Sequence, residues 1–274
     1  MVTNLSADLW TEFDEKARSQ EDVYERAATA QFAAEAKAVL QILESSVPQI
    51  KSTLDDALAR SILWPYIEGA FLKILAAYTS AGLFYRQWYN RMRPLVAKTM
   101  AGADASVNVR VRLIGPTSPQ VVSAINRRVT KLAASVTETT ADQIRAVMIK
   151  AREDGVGVTE LARRIRTDVF ADTITTARSR TIARTETVGA LNEGAMVKAR
   201  ASGVFRSKHW ISQGDGRVRD SHRTAEAEGW IAIDLPYSNG LDYPHAPGSP
   251  AEEVVNCRCS QTFSDLTPDE ANAG

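Results

Sequence analysis

Cysteine and histidine are nearly missing from this 274-residue chain. It has two cysteines and three histidines, and none of either precedes residue 209. Two cysteines make no disulfide framework. Their Cys257-Arg-Cys259 spacing also argues against a mutual bond. Residues two apart on a strand lie roughly 6.5–7 Å apart at Cα, at or beyond the usual disulfide limit. A reducing place of synthesis follows. Long apolar runs are missing too: the longest charge-free run of mainly apolar residues, 74–85, is too short for a spanning helix. The opening Met1-Val-Thr-Asn-Leu-Ser-Ala-Asp has no basic-then-apolar pattern, so no signal peptide is expected. There is no Walker A loop, no H-E-x-x-H, no nucleophile motif and no nuclease signature, which removes the usual markers of hydrolytic and phosphoryl-transfer enzymes.

Net charge is zero overall but unevenly spread. Residues 111–208 hold 17 Lys+Arg against 9 Asp+Glu, and residues 209–274 hold 4 against 11. Either the two parts face each other or the basic middle meets a polyanion. For any single arginine, a solvated helix face is the plainer reading.

A composition of 44% hydrophobic and 24% charged residues is that of a folded protein. Residues 5–60 read as helix, with Phe32, Val39, Leu40 and Leu43 at helical spacing and a break at Pro48. Ser52 or Thr53 is the expected cap of the next helix. Pro65 is expected to interrupt it, before a stripe of Ile67, Phe71, Ile74, Leu75 and Tyr78. Trp88, Tyr89 and Met92 carry that stripe past Gly82 to Pro94. Residues 107–113 (VNVRVRL) alternate like a short strand. Ser118-Pro119 is a helix start, and Thr139 or Thr140 is expected to cap a further helix that ends at Gly155. A short helix follows Gly157, and a last one runs from about Asp172 to Ser202, stopped by Gly203.

Beyond Gly203 the period changes. Residues 204–212, 230–235 and 256–263 read as strands, with Cys257, Cys259, Gln261 and Phe263 on one face, and 234–250 as an ordered loop. The expected fold is mainly α, a long helical body followed by a small C-terminal α+β module with short antiparallel strands. The segments are a helical N-terminal region (1–115), a basic helical region (116–203), the small module (204–265) and a flexible tail (266–274).

All ligand-type residues fall in the last quarter. Thiolates from Cys257 and Cys259, with one or two of His209, His222 and His245, would form a tetrahedral sulphur–nitrogen set suited to zinc. On sequence alone the plainer reading is preferred, two small cysteines packed in a sheet. Asp215, Asp220 and His222 with Arg217 and Arg219 admit a metal-assisted phosphodiesterase, but a charged turn whose side chains pair internally explains the same letters. Glu186, near Arg184, is read as part of a partly buried Arg–Glu network that pins its helix to the module. Arg110, Arg112, Arg127, Arg128, Lys131, Arg163, Arg164, Arg166, Arg178 and Arg180 form a basic middle that admits non-specific DNA contact, with no base-reading motif beside it.

Taken in order, Ile182-Ala-Arg-Thr-Glu-Thr187, Trp210, Asp215-x-Arg-Val-Arg-Asp-Ser-His222, Tyr243-Pro244, Pro247 and Asn256-Cys-Arg-Cys259 resemble the phage Mu F-type minor head proteins of the phage head morphogenesis family, over roughly residues 155–263. The resemblance implies a minor capsid component of a tailed phage or prophage, made in the bacterial cytoplasm and residing in the virion. It implies a place at the portal vertex and a role in head assembly, DNA packaging or DNA delivery. Portal, major capsid or scaffolding protein are the implied partners, with packaged DNA a further one and no membrane. No catalytic activity is implied. Arg184, Glu186, Trp210, Asp215, Arg217, Arg219, Asp220, Asn256 and Arg258 would brace one compact module. The family usually carries Gly-Asp/Glu-Pro after Tyr-Pro, where this chain has His245-Ala246-Pro247. That departure moves any zinc toward His222, Cys257 and Cys259. The rival readings are a metal-dependent hydrolase and a non-specific DNA-binding protein, both acting at infection.

Overall fold

A computed structural model describes residues 2–46, 48, 56–103 and 117–273. The expected strand at 107–113 and the cap at Ser52 or Thr53 lie outside these residues. The helices are α1 (Val2–Ser46), α2 (Asp56–Ala77), α3 (Leu83–Gly102), α4 (Pro119–Glu153), α5 (Val158–Asp168) and α6 (Asp172–Ser202). There follow β1 (Ser207–Ile211), α7 (Asp220–Ala227), β2 (Trp230–Ala232), α8 (Ala251–Val254), β3 (Ser260–Ser264) and α9 (Pro268–Ala273). The chain is therefore mainly helical with a small antiparallel sheet near its end, as its periodicity predicts.

Three helix boundaries differ from the sequence reading. Pro65 does not interrupt α2, which runs through it, and α3 likewise runs through Pro94. An interior proline costs about 3 kcal/mol. Ile67 and Ile74 are buried on α2, and Met92, Val96 and Met100 on α3. At roughly 1.5–3 kcal/mol per large apolar side chain, each set matches or exceeds that cost. The stripe expected to run on past Gly82 is instead broken by a turn. Gly82 donates its N–H to the Thr79 carbonyl at 2.7 Å, and a Cβ there would collide with the Ala76 and Ala77 carbonyl oxygens. The third difference is that α4 has no internal cap. The hydroxyls of Thr137, Thr139 and Thr140 donate to the carbonyls of Ala133, Ser135 and Val136 within one unbroken helix. Ser118 does open α4, its Oγ accepting the Val121 N–H.

The chain divides into two compact units. One comprises residues 26–91 and 132–179. Its core contains Phe32 edge-on to Trp88 (centroids 5.1 Å) and Tyr78 against Phe84 (4.5 Å). Arg178 lies 4.4 Å from the Phe32 ring centre. A buried carboxyl, Glu35, accepts from Tyr78 Oη at 3.1 Å and from Gln31 Nε2 at 3.2 Å.

The other unit comprises residues 1–25, 92–131 and 180–274 and holds the sheet, ordered β2-β1-β3. In the central strand β1, His209 pairs with Trp230 and Thr262, and Trp210 pairs with Gln261. Alternation places His209 and Trp210 on opposite faces. The strands are shorter than the alternating runs that announce them, and Cys257 and Cys259 precede β3. Two apolar clusters fill this unit around the sheet. One joins Met196 and Ala199 of α6 to Phe205, Ile233, Tyr243 and Phe263. The other joins Trp210, Ala225, Tyr237 and Leu241 to the two cysteines. At the polar end, α9 sends Asn272 back to the edge strand. Its amide accepts the Trp230 N–H at 2.8 Å and donates to the Trp230 carbonyl at 3.0 Å.

Candidate functional site

His222 sits on the first turn of α7 and is 1% exposed. Its ring lies 4.9 Å from that of Trp210. The main chain turns sharply after α8, with Asn256 at φ 57°, the left-handed region that asparagine tolerates better than most residues. The turn is anchored by the Asn256 N–H, which donates to Thr185 Oγ1 at 3.2 Å. It delivers Cys257 and Cys259 beneath α7. Nδ1 of His222 lies 3.6 Å from Cys257 Sγ and 3.5 Å from Cys259 Sγ. On the other side of the ring, Nε2 is 2.8 Å from Glu253 Oε2. Glu253 also accepts from Ser221 Oγ at 2.9 Å.

Both cysteines are free and buried. The Cys259 N–H donates to Cys257 Sγ at 3.4 Å. A hydrogen bond from the Cys259 thiol holds the Cys257 thiol well below its ordinary range, while the same contact pushes Cys259 up. Asn192 of α6 donates Nδ2 to the Cys259 carbonyl at 3.0 Å, and Gln261 Nε2 donates to the Asn192 carbonyl at 3.1 Å. This short extended stretch is thus tied to α6 by two amide side chains. Beside the triad is a cavity of about 400 Å3, lined by Arg184, Arg217, Arg219, Arg258 and the three residues themselves.

The charged run does not converge on one point. Asp215 takes a 2.8 Å bond from Arg258 Nη2 and accepts the Arg217 N–H at 3.0 Å, closing the turn before α7. The Arg258 bond lowers the Asp215 pKa. Arg219 donates to the Val255 carbonyl at 2.8 Å. Asp220 is exposed and pairs with Arg223, one helical turn on. Among the described residues, the grouping of three or more His, Cys, Asp or Glu ligand atoms is His222, Cys257 and Cys259, and neither aspartate belongs to it. His209 stacks 5.5 Å from Trp230. His245, at φ 64°, bonds the Cys257 carbonyl through Nε2 at 2.8 Å. A left-handed backbone here gives a physical reason for glycine at this position.

Glu186 pairs with Arg128 at 3.1 Å, whereas Arg184 lies 3.7 Å from Glu21. Arg128 is 5% exposed and reaches three partners. Nη1 bonds Glu186, Nε bonds Glu193 at 2.8 Å, and Nη2 bonds the His245 carbonyl at 2.9 Å. Burial works against its charge, but the two carboxylates outweigh that and raise its pKa. One guanidinium from α4 therefore ties α6 to the loop that precedes the cysteines. A second buried cation, Lys208 of β1, donates to Asp242 through both carbonyl and carboxylate, at 2.6 and 3.0 Å.

An Arg–Glu brace, a Trp-backed histidine and a Cys-x-Cys stretch thus form one packed assembly on α6. The family described as Phage Mu protein F like protein matches residues 142–262, which contain most of this assembly. Over this stretch the chain is similar to that family. No curated protein and no solved structure matches the chain. No helix among the described residues is long and apolar enough to cross a membrane.

Sequence reasoning missed Glu253, Arg128, Glu193 and Asp242. Glu253 sits in an acidic pair with no motif spacing, and Arg128 reads as one of many basic residues. Asn192 carries no motif signal, yet its amide donates to the Cys259 carbonyl.

Proposed function

We propose that the chain is a minor head protein of a tailed phage or prophage that acts at the portal vertex in head assembly, DNA packaging or DNA delivery, without catalysing a reaction. The observation that carries this is the phage Mu F-like match over residues 142–262, in which Arg258 and Lys208 hold Asp215 and Asp242. Arg128, Arg258 and Lys208 each hold carboxylates and backbone carbonyls or turns within one unit. Portal, major capsid or scaffolding protein are the proposed partners.

The rival readings lose support on specific residues. For a hydrolase, Asp215 and Asp220 are committed to Arg258 and Arg223 and do not approach His222 as metal ligands. For a DNA-binding surface, many arginines of the basic middle already have acidic partners. Arg127 pairs with Glu193, Arg163 with Glu160, Arg164 with Asp154, and Arg180 with Glu25.

The test is to delete the chain from its phage or prophage and restore it in trans. The expected result is particles that carry the protein in few copies, cross-linked to portal, with defective heads or failed DNA delivery when it is missing. Normal particle yield and infectivity without it, together with its absence from purified particles, would refute the reading. Isolated chain titrated with duplex DNA in moderate salt separates the DNA-binding rival, which requires affinity that falls steeply as salt is added.

A further inference from the structure

We propose that His222, Cys257 and Cys259 bind one zinc ion, with Glu253 orienting the histidine and solvent from the adjacent cavity holding the fourth position. The geometry carries the inference. Zinc–nitrogen bonds of about 2.0–2.1 Å and zinc–sulphur bonds of about 2.3 Å at a tetrahedral angle set the nitrogen and sulphur atoms about 3.5–3.6 Å apart. Nδ1 of His222 lies 3.6 Å and 3.5 Å from the two sulphurs. All three ligand atoms fall within 4.8 Å of one another and all three residues are buried.

Hydrogen bonding alone accounts poorly for this arrangement. Nε2 of His222 faces the Glu253 carboxylate at 2.8 Å, so it carries the ring proton and Nδ1 is left with one lone pair. One lone pair serves one thiol and the second thiol can bond the neighbouring sulphur, yet both sulphurs sit at equal range from Nδ1. A cation between the three atoms serves all of them at once. Histidines that bind metal typically donate their other ring N–H to a carboxylate, which fixes the tautomer, and Glu253 is in that position. Ser221 holds the same carboxylate from its other side. The Cys259 N–H points at Cys257 Sγ, a donor that stabilises negative charge on sulphur.

The donor set selects the metal. Two thiolates and an imidazole favour zinc over magnesium or calcium, which take oxygen ligands. Trp210, Ala225, Tyr237 and Leu241 wall the site on its apolar side. The three ligands also line the arginine-rimmed cavity, which leaves a face open to water. Arg184, Arg217 and Arg219 on that rim suit an anion as an exchangeable fourth ligand. The inference does not rest on the role in the phage head.

The full-length chain is purified without chelators and its metal content measured. About one zinc per chain is expected. Stripped protein titrated with cobalt(II) should then show a thiolate-to-cobalt charge-transfer band and intense visible bands of tetrahedral cobalt. Azide added to the cobalt form should shift the visible bands. Glu253→Gln should weaken zinc affinity about 10–100-fold while one ion still binds. Cys259→Ser should remove most of the charge-transfer intensity. A folded wild-type chain that holds no zinc and gives no cobalt spectrum overturns the site, whatever the variants do. Bound cobalt that ignores azide overturns the solvent-held fourth position.

Discussion

Gly189 of α6 lies against the guanidinium of Arg128, so close that a Cβ would overlap Nη1 and Nη2. The cation crosses the helix at the one residue type without a side chain, and from there reaches Glu186, Glu193 and the His245 carbonyl. Gly189→Ala gains about 1 kcal/mol of helix propensity. It also displaces a buried ion-pair partner, a loss of about 3–5 kcal/mol. The expected net effect is a destabilisation of about 2–4 kcal/mol, read by urea unfolding. A variant as stable as wild type would show that the guanidinium relocates without cost.

Lys208 gives a second case of the same physics. Its side chain is fully buried, and Asp242 is its acidic partner. Burial alone would raise the Asp242 pKa, but Arg200 and Lys208 outweigh it and hold it below the ordinary range. Asp242→Ala leaves Lys208 as a buried charge with no carboxylate, which costs about 3–5 kcal/mol. Replacing both, as Asp242→Leu with Lys208→Met, is expected to recover a good part of that loss. Equal stability for the single and double variants would refute the pairing as the cause.

Sequence periodicity exposed much of this architecture because its signals are local. Helical spacing marks α5 and α6 nearly to the residue, and Gly203 at φ 67° stops α6 as a C-terminal glycine does. Local signals failed where tertiary burial overrode them. Pro65 and Pro94 stay helical because buried residues on the same helices offset their cost. Thr139 and Thr140 read as caps, yet their hydroxyls turn back onto α4. At the site, the presence of His222, Cys257 and Cys259 was legible from their rarity. That His222, and not His209, faces the cysteines depends on strand β1 placing His209 and Trp210 on opposite faces. Glu253 and Arg128 act across 31 and 117 residues of sequence, and no spacing rule reaches that far.

Asn256 carries φ 57° at the turn that feeds the cysteines toward His222. Asparagine visits the left-handed region at lower cost than alanine, and glycine at none. Asn256→Ala is expected to lose about 1 kcal/mol and Asn256→Gly to stay within about 0.5 kcal/mol of wild type. Thermal and denaturant unfolding of both variants would check the order. Alanine equal to glycine would mean that the turn relaxes out of the left-handed region.

Glu35, in the other unit, sets a pH dependence with a definite sign. Burial pushes its carboxyl up to about 7, with hydrogen bonds from Gln31 and Tyr78 offsetting part of the rise. In the unfolded chain it titrates near 4.5. The folded state therefore binds the proton more tightly. Its contribution to stability is fully present below pH 4.5, declines as pH rises, and is lost once pH passes about 7. The separation corresponds to a loss on the order of 3 kcal/mol across that window. Glu35→Gln keeps an oxygen acceptor for Tyr78 and removes the titration. Measured against wild type, the variant should gain stability between pH 5 and pH 8, by more than about 1 kcal/mol. A difference between the two proteins that stays constant over this range would mean that Glu35 is already ionised in the folded chain at pH 5, held by Gln31, Tyr78 and Arg178 more strongly than burial opposes it.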